Sequence, residues 1–271
     1  MNPVERSVQV NGLPCRVWEA GQGEPVYYLA GLGGLPKWTP FLDRLAAKRR
    51  VILPSLPGFP GGLGHDLLDT HLDWMLAAEE LLRGAGLSGH TPGDLIGASF
   101  GGALAADIAA MWPARVRRLV LIAPLGMFDE ADPVTDMFAL RPKTLPGLMC
   151  ANPERYAALM DRPEGADEVE WQVMQARTAE AAARLLWPLA DTGVTRRLRR
   201  ILAPTLILWG DEDRVVPPGY AKRFAEGITG ATQAGVIQGA GHLADLDAPG
   251  EVAAAILEFL EQTAPDKPLP R

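Results

Sequence analysis

Short runs of β-branched and aromatic residues, recurring between Ala/Leu-rich stretches, constrain this chain more than any other feature. Pro25 to Ala30 (PVYYLA), Arg50 to Leu53, Asp94 to Ala98 and Leu119 to Ala123 are mostly apolar without alternation, the pattern of parallel strands covered on both faces. Between them, Phe41 to Lys48, Leu72 to Gly84 and Gly102 to Trp112 have helical composition and period. Strand and helix in that order make parallel βαβ units. Upstream, Val4 to Val10 and Pro14 to Glu19 flank Asn11-Gly12, a strong signal for a two-residue hairpin. At 271 residues and 48% hydrophobic content, one large α/β core need not be split.

The rhythm breaks after Leu125. From Met127 to Arg197 the apolar positions fit helices, over Glu154 to Met160 and Val169 to Leu186, interrupted by Pro133, Pro142, Pro146, Pro153 and Pro163. Strand character resumes at Thr205 to Trp209 (TLILW), then come a helix from Pro218 to Glu226, a weaker strand near Ala234 to Gln238 and a closing helix from Pro249 to Gln262. The expected organisation is therefore a core in two parts, residues 1–126 and 198–271, with a helical insertion over 127–197. The Pro-rich end from Ala264 to Arg271 is expected to fray.

A formal net charge of -7, from 26 Lys+Arg and 33 Asp+Glu, offers no cationic field for a phosphate backbone, so nucleic acid is not an expected partner. The cluster Arg196, Arg197, Arg199 and Arg200 reads as a solvated surface. Cys15 and Cys150 are too few for a disulfide framework, and no Cys or His cluster has metal-ligand spacing. No signal peptide opens the sequence and no run is long enough to span a membrane, so a cytoplasmic protein acting on a small molecule without metal or cofactor is expected.

Gly97-Ala98-Ser99-Phe100-Gly101-Gly102 satisfies Gly-x-Ser-x-Gly directly after a strand-like run and at the opening of a helix. In such a turn the serine takes a strained conformation, and the flanking residues must be tiny to clear the neighbouring strand and helix. The helix also aims its N-terminal N–H groups at charge developing beside the serine. Ser99 is the expected nucleophile.

A serine hydroxyl needs a base to take its proton, and histidine, with an ordinary pKa near 6.5, is the usual one. His65 lies in a Gly/Pro-rich stretch, His71 near a helix start and His90 in a polar loop; all read as structural. His242 lies in Gly239-Ala240-Gly241-His242, a glycine loop between the last strand and last helix, from which it can approach Ser99. The imidazole in turn needs a carboxylate to fix its tautomer. In Trp209-Gly210-Asp211-Glu212-Asp213-Arg214-Val215-Val216-Pro217, both Asp211 and Asp213 qualify, and spacing does not separate them.

These residues, in the order Ser, Asp, His, resemble the α/β-hydrolase fold family over nearly the whole chain outside the insertion. The resemblance implies a mostly parallel central sheet flanked by helices, with residues 127–197 as a helical cap. Gly210-x-x-Asp213-x-Val-Val-Pro217 is similar to that family's acid loop and thereby favours Asp213, while Gly239-x-Gly241-His242 matches its histidine loop. Pro54-Ser55-Leu56-Pro57-Gly58 resembles the family's Asp-x-Pro-Gly turn with Ser55 in place of Asp. Ala30-Gly31-Leu32-Gly33 falls where the family has His-Gly before the oxyanion hole. The resemblance assigns that hole to the backbone N–H groups of Leu32 and Phe100, and Ala30 removes the loop's usual anchoring side chain. The same glycines do not make a dinucleotide site, because Pro36 stands where Gly or Ala is required.

The implied activity is hydrolysis of a small carboxylic ester through an acyl-enzyme on Ser99. Two alternatives share the fold: carbon–carbon bond hydrolysis of aromatic ring-fission products, and ligand reception without turnover. Asp as nucleophile, the habit of dehalogenases and epoxide hydrolases of this fold, is absent. Trp171, Met174, Trp187, Met137 and Phe138 are candidates for a substrate pocket, or for packing within the cap.

Overall fold

The computed structural model describes residues 1–188 and 190–262; the proline-rich end lies outside them. Strands β1 (Val4–Val10) and β2 (Leu13–Ala20) form the expected hairpin, and Asn11 and Gly12 both have positive φ, +50° and +76°. That is the backbone a two-residue turn between twisted strands requires. Next come β3 (Pro25–Leu29), α1 (Pro40–Ala46), β4 (Arg50–Pro54), α2 (His71–Ala85), β5 (Gly93–Ala98), α3 (Ser99–Met111) and β6 (Val116–Ile122). After α4 (Leu145–Met149), α5 (Pro153–Met160) and α6 (Glu168–Leu186), the sheet continues with β7 (Thr205–Gly210), α7 (Tyr220–Gly227), β8 (Thr232–Ile237), α8 (Ala244–Asp247) and α9 (Pro249–Glu261).

The described strands form one sheet in the order β1-β2-β4-β3-β5-β6-β7-β8, antiparallel in the first two pairings and parallel in the rest. Alternate residues divide between two cores. Tyr28, Leu53, Ile96 and Val120 pack with Phe41 and Leu45 of α1 and Ile256 and Phe259 of α9, while Leu29, Leu95 and Leu121 pack with α2 and α3 on the other face. Covered on both faces, β5 and β7 are buried at every position and read as continuous apolar runs. Edge strand β8 is half exposed, which accounts for its weaker sequence signal.

Helix α3 is buried from Ser99 to Ala110, and its small residues let it approach the sheet closely. Its one carboxylate, Asp107, is fully buried and receives a hydrogen bond from Arg197 Nε at 2.5 Å, with His71 Nε2 at 2.6 Å. Arg197 therefore departs from the solvated-surface expectation. It ties the end of the segment between β6 and β7 to α3 because a buried carboxylate without a cation or donor would be costly. Arg196, Arg199 and Arg200 are exposed, on 3₁₀ turns rather than a continuous helix.

Among the described residues, no helix is long and apolar enough to cross a membrane. Nor does any group of three or more His, Cys, Asp or Glu residues stand ready to hold a metal ion. Cys15 and Cys150 are both buried and unpaired as thiols; burial raises the Cys15 thiol to about 11 and raises Cys150 as well.

Candidate active site

Parallel strands deliver the candidate residues to one edge. Ser99 follows β5, Asp213 follows β7 and His242 follows β8, all at carboxyl ends, where open α/β sheets place their ligand crevice. Ser99 has φ +47°, the strained turn expected of a strand that passes directly into a helix. Its flanking glycines are steric requirements. A Cβ on Gly97 would lie 2.5 Å from the Ala105 methyl, and one on Gly101 would lie 2.2 Å from the Leu29 carbonyl oxygen. Because backbone has nowhere to retreat, Gly101→Ala should cost about 4 kcal/mol. Thermal unfolding should register this as a midpoint lowered by roughly 10 °C; an unchanged midpoint would contradict the close approach.

Ser99 Oγ lies 2.6 Å from His242 Nε2, and His242 Nδ1 lies 2.9 Å from Asp213 Oδ2. All three are buried. The other Asp213 oxygen accepts the backbone N–H groups of Val215 (2.8 Å) and Val216 (2.9 Å), so the carboxylate is fixed and acceptor-only. It follows that Nδ1 carries the imidazole proton and that Nε2 is free to accept from Ser99. Asp211 sits elsewhere: it is exposed and accepts the N–H of Gly239, at 2.7 Å, at the start of the histidine loop. His65 and His71 lie apart from this relay, beside Glu180 and Asp107 respectively, and His90 is exposed.

Leu32 and Phe100 border the same cavity as Ser99, and among the described residues neither backbone N–H has a hydrogen-bond partner. Two such donors facing a nucleophile can bind an oxyanion. The Leu32 loop holds its shape without a histidine at Ala30. Gly33 N–H closes a turn onto Ala30 O at 2.9 Å, Leu56 N–H donates to Gly33 O at 2.8 Å, and Arg16 donates to the Leu35 carbonyl at 2.5 Å. Arg16 also donates to Ser55 Oγ at 3.2 Å and stacks on Trp18, 3.5 Å from the ring centroid. Its burial pulls the guanidinium down to about 10.

Two acids near His242 went unread in the sequence, where carboxylates on a short helix resemble ordinary surface. Asp247 accepts the N–H groups of Gly241 (2.8 Å), Ala151 (2.7 Å) and Asn152 (3.1 Å), joining the His242 loop to the segment between β6 and β7. Leu243 N–H reinforces the joint by donating to Met149 O at 2.8 Å. Asp245 accepts from Tyr28 Oη at 2.7 Å. Burial holds the Asp245 carboxyl above its ordinary value and the Tyr28 phenol well above its own.

Above Ser99 lies a cavity of about 600 Å³. Its floor includes Gly31, Leu32 and Phe100, and its upper wall comes from the segment between β6 and β7, including Met137, Phe138, Met149 and Tyr156. Of the candidate pocket residues, Met137 and Phe138 line this space; Trp171, Met174 and Trp187 do not, and Trp187 is 63% exposed. Helix α6 contributes Gln175, Ala179, Ala182 and Leu186, which recur on one face.

Residues 26–255 match the model of a family described as the alpha/beta hydrolase family. The chain is 31% identical, over 236 residues, to 2-hydroxy-6-oxo-2,4-heptadienoate hydrolase of Pseudomonas putida, a match covering 79% of this chain and 81% of that protein. It is 29% identical to the dihydrolipoyllysine-residue acetyltransferase component of an acetoin cleaving system, also from Pseudomonas putida, over 96% of this chain and 70% of that protein. Among solved structures, 2-hydroxy-6-oxo-6-phenylhexa-2,4-dienoate hydrolase from Rhodococcus sp. strain RHA1 superposes with a TM-score of 0.77 at 19% identity, covering 96% and 99% of the two chains. At that identity the superposition speaks for the fold. With the sheet order, the strand-to-helix serine turn and the family match in hand, the chain belongs to the alpha/beta hydrolase family.

Proposed function

We propose that this hydrolase cleaves small carboxylic esters through an acyl-enzyme on Ser99, with residues 127–197 as a cap over the site. The observation that carries the proposal is the fixed relay from Ser99 through His242 to Asp213, opening beside two unpartnered N–H groups on the floor of an apolar cavity. As Ser99 Oγ attacks the carbonyl carbon, its proton passes to His242 Nε2. The new oxyanion is held by the N–H groups of Leu32 and Phe100. Collapse breaks the bond to the alcohol oxygen, which leaves with the proton from the imidazolium. Water then attacks the acyl-enzyme with His242 again as base, releasing the acid and restoring Ser99.

Carbon–carbon bond hydrolysis is the second reading, and the name of the 31% identical Pseudomonas putida relative favours it. Asp213, His242 and the two N–H groups would serve both reactions. A panel of dissolved aryl esters from acetate to palmitate, with a lactone, an amide and a ring-fission dienone, separates the readings. Many turnovers per site on short and medium esters, falling for long chains and without activation by emulsion, is the expected result, because a cavity of this size limits the acyl group. Cleavage of the dienone with no ester turned over would install the second reading. Binding or single acylation without turnover would make the protein a receptor.

A further inference from the structure

The described wall of the cavity carries no charged side chain. Among the described residues lining it there is no Lys, Arg, His, Asp or Glu; the polar side chains are those of Ser99, Tyr156, Gln172, Gln175 and Thr178. Thr178 spends its only proton on the Met174 carbonyl at 2.9 Å, and Gln175 and Gln172 each commit an amide N–H to Met160 O and Glu168. Arg141 and Lys143, on either side of the lining Pro142, are exposed and do not line the cavity, and other cations of the surrounding elements are engaged elsewhere. Arg197 is held by Asp107, Arg155 donates to Leu246 O, and Arg214 donates to Gly147 O and Glu212. On α6 itself, Arg177 stands two positions from Gln175 and Ala179, on the opposite side of the helix from the lining face. The anionic group closest to the relay is the protein's own, Asp213 on His242.

Resting on the ester-hydrolase reading, we propose that the site selects substrates that are uncharged throughout the part the cavity encloses, and rejects those with a carboxylate there. A carboxylate entering this space loses water and gains no cation from its lining, and Asp213 on His242 repels it. A neutral chain loses nothing and buries apolar surface. The neutral hydrogen-bonding groups on α6 and Tyr156 can meet a carbonyl, hydroxyl or amide farther along the substrate. A dienoate falls in the rejected class.

The test compares three aryl esters of equal acyl length: the hexanoate, the adipate monoester with its free carboxylate, and the same adipate capped as a methyl ester. The expected kcat/KM for the free acid is about 100-fold below that of the hexanoate, with the capped ester restored to within a few-fold. Gln175→Arg, which places a cation on the lining face, should raise the ratio of charged to neutral kcat/KM by about 10-fold. Equal kcat/KM for charged and capped esters, or a Gln175→Arg ratio that does not move while neutral turnover persists, overturns the inference. Affinity of Ser99→Ala for the same two adipates, measured by calorimetry, reads selection without turnover. If wild-type protein cleaves no ester, the mechanism above falls, and equal affinity for charged and capped ligand would then sink the charge inference separately.

Discussion

Ser99→Ala should lower kcat/KM on the best ester of the panel by about 10⁴-fold or more while leaving the fold intact. The substitution removes a single oxygen whose hydrogen bond is to His242 Nε2, at 2.6 Å. It opens no large void, and alanine can occupy the φ of +47° with a Cβ placed like that of serine. The large loss follows from the proposed mechanism, in which the three residues act as a unit: without Oγ, the base has no proton to take and the oxyanion donors have no adduct to stabilise. Kinetics should be paired with thermal unfolding, which should shift by little. A variant that keeps more than about a tenth of wild-type activity would remove Ser99 from the nucleophile role, whatever the geometry around it.

How much of this site could be read in advance depended on whether a residue's role is local. Ser99 was legible because its demands are written next to it: two glycines, a strand before and a helix after, all within one turn. The parallel strands were legible for a similar reason, since burial on both faces leaves β5 and β7 with no polar positions to confuse the pattern. The hairpin is legible in Asn11-Gly12, which forms its turn. The pocket was not legible in this way. Helical period on α6 defines faces, but which face looks at Ser99 is decided by how the segment between β6 and β7 crosses the sheet, a long-range fact. Met137 and Phe138, on a 3₁₀ turn outside α6, line the cavity, while Trp171 and Met174 of α6 do not. The role of Arg197 is not legible locally for the same reason, because its partner Asp107 is distant in sequence, on α3.

Partner-dependent roles also explain why the supporting residues were missed. Asp247 looks like a surface acid until the backbone of Ala151 and Asn152 is brought against the histidine loop. Position 30 offers the Leu32 loop no polar side chain, and the contacts that hold the loop come from Arg16 on β2, two strands away from β3, and from Leu56 beyond β4. Neither contact has a signature at the position that needs it. Consistent local choices identify the elements and the elbow; assignments that depend on tertiary neighbours require the packed chain.

The choice between Asp211 and Asp213 lay at that boundary, and it sets the second large expected effect: Asp213→Asn should lower kcat/KM by about 10⁴-fold, and Asp211→Asn by less than about 10-fold. Both substitutions remove one negative charge from the same loop, so generic electrostatics does not distinguish them. Their hydrogen bonds do. At position 213 the Val215 and Val216 N–H groups must keep an oxygen acceptor, so an asparagine turns its NH₂ toward His242 Nδ1. That donor is satisfied only if Nδ1 gives up its proton, leaving Nε2 protonated and facing Ser99, the tautomer that cannot accept from the hydroxyl. At position 211 the side chain accepts a single N–H from Gly239, which an amide oxygen does as well, and its exposed second atom can turn to water. Active-site titration should accompany the kinetics, so that a lower rate is not confused with fewer folded sites. Equal losses at the two positions, or a greater loss at 211, would mean that the 2.9 Å contact between His242 and Asp213 is not the orienting one.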